Sequence, residues 1–198
     1  TGEPAVVLVT SGPGATNTVT PVRDSLADSV PIVVICGQVP TAAVGTDAFQ
    51  EAPVAALMGP VAKHVFLITD PTRLEATVRT AFEIARSGRP GPVVIDIPKD
   101  VQNWAGVFRG SGALPIPGYR KRSAELAASA INARQAESFV ELLSESQRPL
   151  LYAGGGVING NASSAVTAFA EALNIPVVTT LMGIGCIDTT HPLAMHML

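Results

Sequence analysis

The stretch Gly88-Arg-Pro-Gly-Pro-Val-Val-Ile-Asp-Ile-Pro-Lys-Asp100 decides the fold class of this chain. Its β-branched, apolar run, residues 93–97, is bounded by Pro-Gly-Pro and by Pro-Lys, which is typical of a strand buried on both faces. Three earlier runs have the same character and receive the same prediction: residues 5–10, 32–36 and 65–68. Because segments with helical spacing separate these runs, the sequence predicts βαβ units and a parallel sheet.

Two of the intervening segments have the apolar spacing of amphipathic helices. Pro21 interrupts the first of them, and the proline ring permits either a kink or a helix that starts only at Pro21. The second opens with Asp70-Pro71, a capping carboxylate followed by proline at the first helical position, and ends at Ser87-Gly88. The residues expected to face the sheet are Ala15, Val19, Val22, Leu26 and Val30 in the first, and Leu74, Val78, Ala81, Phe82 and Ala85 in the second.

A second α/β series follows an irregular segment. Residues 101–123 crowd Gly, Pro and Arg together without a period that would sustain a helix or a strand. Beyond them, apolar spacing predicts helices near residues 133–146 and 163–173 and strands at 150–153 and 176–180. The predicted class is α/β, with parallel sheets flanked by helices, in two α/β units joined by an irregular linker.

The composition excludes several function classes. Hydrophobic residues make up 47% of the 198 residues and charged residues 15%, which indicates packed elements and not disorder. The formal charge is -3 and the basic residues are scattered, so no nucleic acid partner is expected. Cys36 and Cys186 have no metal-like spacing to each other or to the histidines, so we expect two buried thiols and no metal ligands. No apolar run approaches the roughly 20 residues that cross a bilayer, so no membrane partner is expected.

The first informative loop, Thr10-Ser-Gly-Pro-Gly-Ala-Thr-Asn17, follows the first predicted strand and opens the first helix. Open parallel sheets place their ligand sites at such strand ends. Its glycines let the backbone approach a ligand and the helix N-terminus offers amide donors, so a phosphate cradle and a plain tight turn are both open. The loop matches neither G-x-G-x-x-G nor a P-loop with its Lys, which favours the turn.

Two further strand ends carry polar groups. Gly37-Gln-Val-Pro-Thr41 leads into Gly45-Thr-Asp-Ala-Phe-Gln-Glu51, which is either a binding lid or a solvent-exposed loop with one tethering aromatic. Arg89 precedes the strand at 93–97 and Lys99 follows it. Each either binds a phosphate or carboxylate, or else caps a helix end or pairs with Asp96 or Asp100.

Open backbone marks the ends of both strands in the second series. Ala153-Gly-Gly-Gly156 and Thr180-Leu-Met-Gly183 suggest a backbone held against something flat or bulky. Two adjacent strand ends of this kind indicate a dinucleotide more strongly than either alone. The histidines lie far from any nucleophile-elbow turn, so hydrolysis is not supported and His64 is expected to be structural.

Taken in chain order, these motifs resemble one enzyme family. The strings T-S-G-P-G-A-T-N, G-Q-V-P, G-T-D-A-F-Q-E, K-H, S-G-R-P-G-P-V-V-I-D-I-P-K-D, G-G-G and T-L-M-G resemble the acetolactate synthase large subunit over nearly the whole chain. Other thiamin-diphosphate enzymes share the glycine loop and G-R-P-G-P-V, whereas D-A-F-Q-E with a later T-L-M-G narrows the resemblance. It implies that residues 1–100 are the C-terminal part of the pyrimidine-binding domain, 101–134 a linker, and 135–198 the N-terminal part of the central, flavin-binding domain.

The resemblance also implies two cofactor surfaces. Pro13 and Asn17 would face the aminopyrimidine of thiamin diphosphate, bound across a dimer. Phe49 and Gln50 would border the reacting carbon of the partner's site. The contacts implied for FAD, which performs no redox turnover in the family, are Arg89, Gly155, Gly156, Thr180, Leu181 and Met182. The channel to the active site would be lined by Lys99 and Pro40, and the glycine loop becomes a surface for a ring instead of a phosphate cradle.

The chemistry implied is that of a transferase that forms carbon–carbon bonds. Pyruvate is decarboxylated on the thiazolium carbon, and the resulting enamine adds to a second 2-keto acid, pyruvate or 2-ketobutyrate, at the start of branched-chain amino acid biosynthesis. The implied partners are further copies in a homodimer or homotetramer, a small regulatory subunit and the 2-keto acids. The implied location is cytoplasmic in a bacterium or organellar in a eukaryote.

Three departures from the family pattern bear on what this chain does alone. The activating glutamate belongs upstream of Thr1, the glycine-aspartate-glycine Mg²⁺ motif belongs far downstream of Leu198, and Pro21 stands where a small helical residue is expected. We therefore expect a domain-sized excerpt that is inactive by itself, with the Mg²⁺ ligands outside it. The rival readings are a sulfoacetaldehyde acetyltransferase, a glyoxylate carboligase, a pyruvate oxidase, or a non-catalytic flavin- or nucleotide-binding α/β module.

Overall fold

The computed structural model describes residues 2–107, 116, 118–127 and 131–198. The chain divides into two compact units, Thr1–Ala128 and Ser129–Leu198. Each unit holds a parallel sheet with flanking helices, which confirms the predicted α/β class. The first unit contains β1 (Ala5–Val9), α1 (Pro13–Thr16), α2 (Val19–Asp28), β2 (Ile32–Gln38), α3 (Val54–Met58), β3 (His64–Leu67), α4 (Leu74–Arg86), β4 (Val93–Pro98), α5 (Lys99–Gln102) and α6 (Tyr119–Ala127). The second contains α7 (Ala133–Glu145), β5 (Leu151–Ala153), α8 (Gly155–Asn159), α9 (Ser163–Leu173), β6 (Val177–Thr179) and β7 (Ala194–Met197).

The sheet of the first unit has the strand order β1-β2-β4-β3, with every pair parallel. Val33 of β2 pairs with Val93 of β4, and all six residues of β4 are buried. One face carries a core cluster that includes Ala81 and Ile84 of α4, and the other a cluster that includes Met58 of α3. The run that decides the fold class therefore lies between two apolar layers, as predicted.

The prediction that all four strands are buried on both faces is wrong for β1 and β3. In β1, Val6 and Leu8 are 55% and 76% exposed, and in β3 Leu67 is 42% exposed. These two strands lie at the ends of the sheet, so within the described ranges each has a hydrogen-bonded neighbour on one side only. An apolar run predicts a strand but does not tell a central strand from an edge strand.

The first predicted helix is two helices. α1 ends at Thr16, and α2 begins at Val19, so Pro21 lies in the first turn of α2. There the missing N–H costs no hydrogen bond, because the first four amides of a helix have no intrahelical acceptor. Val30 lies beyond the helix end, after Ser29 in the left-handed conformation. The second predicted helix is confirmed as α4, and the Asp70 side chain accepts a hydrogen bond from the Thr72 amide before it.

The segment predicted to lack regular structure contains helices at both ends. α5 begins at Lys99, and α6 occupies Tyr119–Ala127, where Tyr119 packs against the core cluster of α4. The boundary between the two compact units, after Ala128, falls inside the predicted 101–134 linker. Residues 108–115, 117 and 128–130 of that linker lie outside the described residues.

The second unit has a three-stranded sheet in the order β5-β6-β7. The predicted helices α7 and α9 and strands β5 and β6 are present, and a reciprocal capping box between Asn132 and Gln135 begins α7. β7 and α8 were not foreseen: α8 begins within the three-glycine string, at Gly155. In the described part of the chain, no helix is long and apolar enough to cross a membrane.

Candidate active-site edge and glycine-lined strand ends

The glycine loop after β1 contacts the loop that follows β2. Gly12 has φ 56° and ψ -113°, and a methyl group added to it would lie 2.7 Å from the carbonyl oxygen of Gln50. Only glycine tolerates both the backbone angles and this close approach. Pro13 and Asn17, the first residue and the C-cap of α1, are exposed beside it. The structure thus brings the Pro13 loop and Gln50 together at the carboxyl edge of the sheet, where open parallel sheets bind ligands.

The loop that carries Phe49 and Gln50 is fixed by a carboxylate of its own. Glu51 accepts hydrogen bonds from the backbone amides of Gly45 and Ala48, the second at 3.1 Å. These amide donors, Gly45 first, hold the pKa of the Glu51 carboxyl below its usual value. Gln50 has a left-handed backbone (φ 62°), and the neighbouring Phe49 side chain is 90% exposed.

The base of this loop is tied to the interior of the sheet by Gln38. Its Nε2 donates to the carbonyl of Ala52 at 2.9 Å and to Oδ2 of Asp96 at 3.0 Å, while its Oε1 accepts from the Val39 amide at 2.9 Å. Gln38 is buried at the end of β2, so one side chain connects β2, β4 and the loop. These hydrogen bonds hold Ala52, and with it the base of the loop, in a fixed position relative to the sheet.

Asp96 is a buried carboxylic acid in the middle of β4. Only 2% of its surface is exposed, and its Oδ1 has no hydrogen-bond partner among the residues that the structure describes. Burial raises its pKa to about 6 against the opposing effect of the Gln38 hydrogen bond. Burial, and secondarily the charge of Asp96, raises the pKa of the Cys36 thiol to about 12, so Cys36 is a protonated core residue.

Lys99 lies at the same edge of the sheet. It is the exposed first residue of α5, directly after β4, and it lines a cavity of about 790 Å³ together with Thr10, Ser11 and Gly37. The next residue, Asp100, accepts hydrogen bonds from the amide (2.8 Å) and hydroxyl (3.1 Å) of Thr41, which follows Pro40. The strand end that carries Lys99 is therefore tied to the segment that carries Pro40.

Arg89 takes the structural option that the sequence left open. It donates to the carbonyl of Ala27 at 2.7 Å, to that of Leu26 at 3.3 Å, and to the Ser29 hydroxyl at 2.7 Å, and so caps the end of α2. Among the ion pairs of the described residues, neither Arg89 nor Lys99 pairs with Asp96 or Asp100. Arg89 also lines a second cavity of about 500 Å³, on its own unit.

Lys63, His64 and Arg122 also line that second cavity. Lys63 donates to the carbonyls of Ile84 and Ser87, beside the end of α4, and burial lowers its pKa. Burial also lowers the pKa of His64, whose ring packs edge-on against Phe66 with centroids 4.4 Å apart. These contacts make His64 a packing residue, which matches the structural role expected for it.

The second unit brings its two glycine-bearing strand ends together. A methyl group added to Gly183 would lie 2.3 Å from the Ala153 carbonyl oxygen, and one added to Gly155 would lie 3.0 Å from Cβ of Met182. Thr180 secures this contact, since its amide donates to Ala153 and its side-chain oxygen accepts from the Gly183 amide. Leu181 and Met182 are exposed, and Gly156 has open space around its Cα.

The predicted site residues thus form three groups. Pro13, Asn17, Phe49 and Gln50 lie on the two loops that meet at Gly12, and Lys99 lies at the same sheet edge. Gly155, Gly156, Thr180, Leu181 and Met182 lie together in the second unit, whereas Arg89 belongs to the first. Within the described ranges, no cluster of three His, Cys, Asp or Glu side chains has the geometry to hold a metal ion.

Sequence reasoning missed Glu51, Gln38 and Asp96 as residues that support the site. A signal for two of them exists, because Gln38 and Asp96 are polar residues within otherwise apolar strands. Glu51 gives no such signal, since a glutamate in a loop is ordinary.

Known proteins match the chain from end to end. Residues 1–57 match the family described as "Thiamine pyrophosphate enzyme, N-terminal TPP binding domain", and residues 136–198 match "Thiamine pyrophosphate enzyme, central domain". The chain belongs to the thiamine pyrophosphate enzymes.

Within that family, the similarity over the whole chain is to acetolactate synthases. The chain is 48% identical to the acetolactate synthase large subunit of Corynebacterium glutamicum over 197 residues, which is 100% of this chain and 30% of that protein. It is 46% identical to chloroplastic acetolactate synthase 2 of Nicotiana tabacum over 198 residues, which is 100% of this chain and 29% of that protein. A probable acetolactate synthase large subunit of Methanocaldococcus jannaschii is 45% identical over 199 residues, covering 99% of this chain and 33% of that protein. The chain thus spans about a third of the length of these relatives.

Proposed function

We propose that the chain is an internal part of an acetolactate synthase, a thiamin-diphosphate transferase that forms a carbon–carbon bond between two 2-keto acids. The first substrate is pyruvate, which is decarboxylated, and the acceptor is a second pyruvate or 2-ketobutyrate. The supporting observation is the meeting of the Gly12 loop with Gln50, within a chain similar to acetolactate synthases along its whole length. The product places the enzyme at the start of branched-chain amino acid biosynthesis.

In this proposal the edge formed by the two loops faces the thiamin ring. Pro13 and Asn17 contact the aminopyrimidine, while Phe49 and Gln50 border the reacting carbon of the site in a second copy of the chain. The bound cofactor supplies an electron sink for decarboxylation. Phe49 suits a flat neighbour because its ring is free of contacts that would bury it, at 90% exposure. Gln50 suits a polar role because its fixed backbone limits where its amide reaches.

Lys99 and Pro40 line the approach to this edge in the proposal. Lys99 contributes a cationic group beside a cavity of about 790 Å³, and a 2-keto acid is an anion. A lysine there attracts the carboxylate electrostatically without a fixed fork geometry. The hydrogen bonds between Asp100 and Thr41 hold the segments that carry Lys99 and Pro40 next to each other.

A flavin site is the second part of the proposal. The contacts proposed for FAD are Arg89, Gly155, Gly156, Thr180, Leu181 and Met182. The open space at Gly156 and the exposed Leu181 and Met182 suit a flat aromatic group. The enzyme is completed by Mg²⁺, the activating glutamate, the further copies of a homodimer or homotetramer and a small regulatory subunit. The location proposed is the bacterial cytoplasm, or an organelle in a eukaryote.

Acetolactate assays of two proteins test the proposal. The complete gene product that contains this chain is expected to form acetolactate from pyruvate with Mg²⁺ and thiamin diphosphate. The purified 198-residue chain is expected to form none. Acetolactate from the short chain contradicts the proposed division of the site. A complete product that binds flavin but consumes no 2-keto acid supports the non-catalytic module instead.

A further inference from the structure

We propose that Glu51 is a positioning residue of this site: its carboxylate clasps the backbone of residues 45–48 and so sets where Phe49 and Gln50 project from the sheet edge. The inference rests on the proposed function for its catalytic consequence. Its structural part, the clasp itself, stands on the contacts of the loop alone.

The clasp uses both oxygens of one side chain. Oε1 accepts from the Gly45 amide and Oε2 from the Ala48 amide, six and three residues earlier in the chain. A carboxylate that accepts two backbone amides closes the segment between them into a fixed turn. None of the ion pairs among the described residues includes Glu51, so its carboxylate interacts with the backbone amides and not with a cationic side chain. The backbone amides, that of Gly45 first, hold the pKa of the Glu51 carboxyl below its usual value, as expected for a carboxylate that accepts these hydrogen bonds.

The loop contains backbone that requires such support. Gly45, Asp47 and Gln50 all have positive φ, at 86°, 57° and 62°. Residues other than glycine hold a left-handed conformation only where their surroundings impose it, and such positions cluster at active sites. Gln50 has the longest side chain of the three and the least intrinsic tendency to adopt it.

Other contacts hold the rest of the loop, and Glu51 holds the 45–48 half through its carboxylate and its backbone amide, which donates to the Ala48 carbonyl at 2.9 Å. Gly12 packs against the Gln50 backbone, and Gln38 holds the Ala52 carbonyl. The Thr46 hydroxyl and the Thr46 amide both donate to the Ala43 carbonyl, within the same turn. The Glu51 carboxylate therefore ties the amides of Gly45 and Ala48 to the end of the loop that Gly12 and Gln38 hold.

The test has a structural arm on the 198-residue chain. Amide hydrogen exchange is measured by NMR for the wild type, Glu51→Ala and Glu51→Gln, with Asp70→Asn as the matched control. Asp70 is also an exposed carboxylate that accepts from a backbone amide, that of Thr72, but far along the chain. We expect Glu51→Ala to speed exchange at Gly45 and Ala48 by about tenfold or more, the effect of losing a hydrogen bond to a charged acceptor. Glu51→Gln should keep Gly45 partly protected, because its amide oxygen still accepts. Asp70→Asn should change Thr72 only.

The functional arm uses the complete gene product. Glu51→Ala is expected to lower kcat for acetolactate formation about tenfold or more, with little change in KM. Glu51→Gln is expected to keep part of the kcat that Glu51→Ala loses. Asp70→Asn is expected to leave kcat within about twofold of the wild-type value. Exchange at Gly45 and Ala48 within twofold of wild type in Glu51→Ala overturns the clasp. Faster exchange with unchanged kcat overturns the positioning role. A wild-type product without acetolactate activity overturns the proposed function and leaves the clasp to be decided by the exchange arm.

Discussion

The two units each bring a glycine against a neighbouring strand end, but they secure the contact by different means. In the first unit the contact of Gly12 with Gln50 is supported by charged and amide side chains, those of Glu51 and Gln38. In the second, the contact of Gly183 with Ala153 is supported by backbone hydrogen bonds and one hydroxyl, that of Thr180. The first edge therefore presents a polar group at a fixed place, while the second presents open backbone and apolar side chains. Such a difference suits chemistry at the first and the binding of a flat group at the second.

The largest effect on this comparison is expected from Gly12→Ala. Alanine would be forced into a conformation that L side chains rarely adopt, and its methyl group would lie 2.7 Å from the Gln50 carbonyl oxygen. Strain and overpacking together should lower the free energy of unfolding of the first unit by about 4 kcal/mol. Urea unfolding monitored through Trp104, the only tryptophan of the chain, measures this. A loss below about 1 kcal/mol would show that the two loops separate at little cost.

Gly183→Ala should have the next largest effect. Its methyl group would lie 2.3 Å from the Ala153 carbonyl oxygen, which is backbone and cannot rotate away. We expect about 3 kcal/mol less protection of the β6 amides in hydrogen exchange. The matched control is Gly156→Ala, for which no described atom outside the adjacent residues and the backbone of α8 itself lies within 4 Å of the added methyl group. If both variants lose equal protection, the glycine matters for flexibility and not for close approach.

The Asp96→Asn variant tests how much the burial of a charged carboxylate lowers the free energy of unfolding of the first unit. The folded pKa of Asp96, about 6, lies above its ordinary value of 3.8, so the wild type is expected to lose stability as pH rises from about 4 to 6. The asparagine variant has no charge to desolvate. Its stability relative to wild type should therefore be about 2 kcal/mol more favourable at pH 7 than at pH 4.5. Urea unfolding at the two pH values measures the free energy of unfolding of both proteins. If the variant and the wild type differ by the same amount at pH 4.5 and at pH 7, Asp96 is not desolvated.

The smallest expected effect is that of Thr180→Val. The variant removes the oxygen that accepts from the Gly183 amide at 3.1 Å, which should cost about 1 kcal/mol in the second unit. Thr167→Val is the control, since its hydroxyl only donates to the Ser163 carbonyl along α9. Hydrogen exchange of β6 again provides the measurement. Equal losses in the two variants would remove Thr180 as a support of the second edge.

Sequence patterns predicted what depends on local spacing. The apolar run of β4 and the capped, amphipathic α4 are where the pattern placed them, because burial of these elements follows from their own residues. The exposure of Leu8 was not predictable, since it depends on which strands lie beside β1. β7 escaped prediction for a different reason: its short run, Ala-Met-His-Met, has no alternation of its own.

The site divides in a similar way. Strand-end position and glycine content indicated both loops, and the resemblance then named Gln50 and Met182 within them. The support beneath Gln50 was not predictable, because it joins residues up to 58 positions apart, such as Gln38 and Asp96. Such contacts exist only once the parallel register of β2 and β4 is set. The sequence also left the role of Arg89 open. A long arginine side chain can reach several acceptors, and only the folded structure shows that it donates to the carbonyls at the end of α2.

The most direct test of the central claim, that the edge around Gly12 and Gln50 is the chemical site, is the rate of acetolactate formation by the complete gene product carrying Gln50→Ala. The control is Gln147→Ala, which removes an exposed amide in the second unit. We predict that kcat/KM for pyruvate falls by about a hundredfold in Gln50→Ala, the usual effect of losing a group placed at a reacting centre, and stays within about twofold in Gln147→Ala. A Gln50→Ala enzyme with kcat/KM within twofold of wild type would contradict the account.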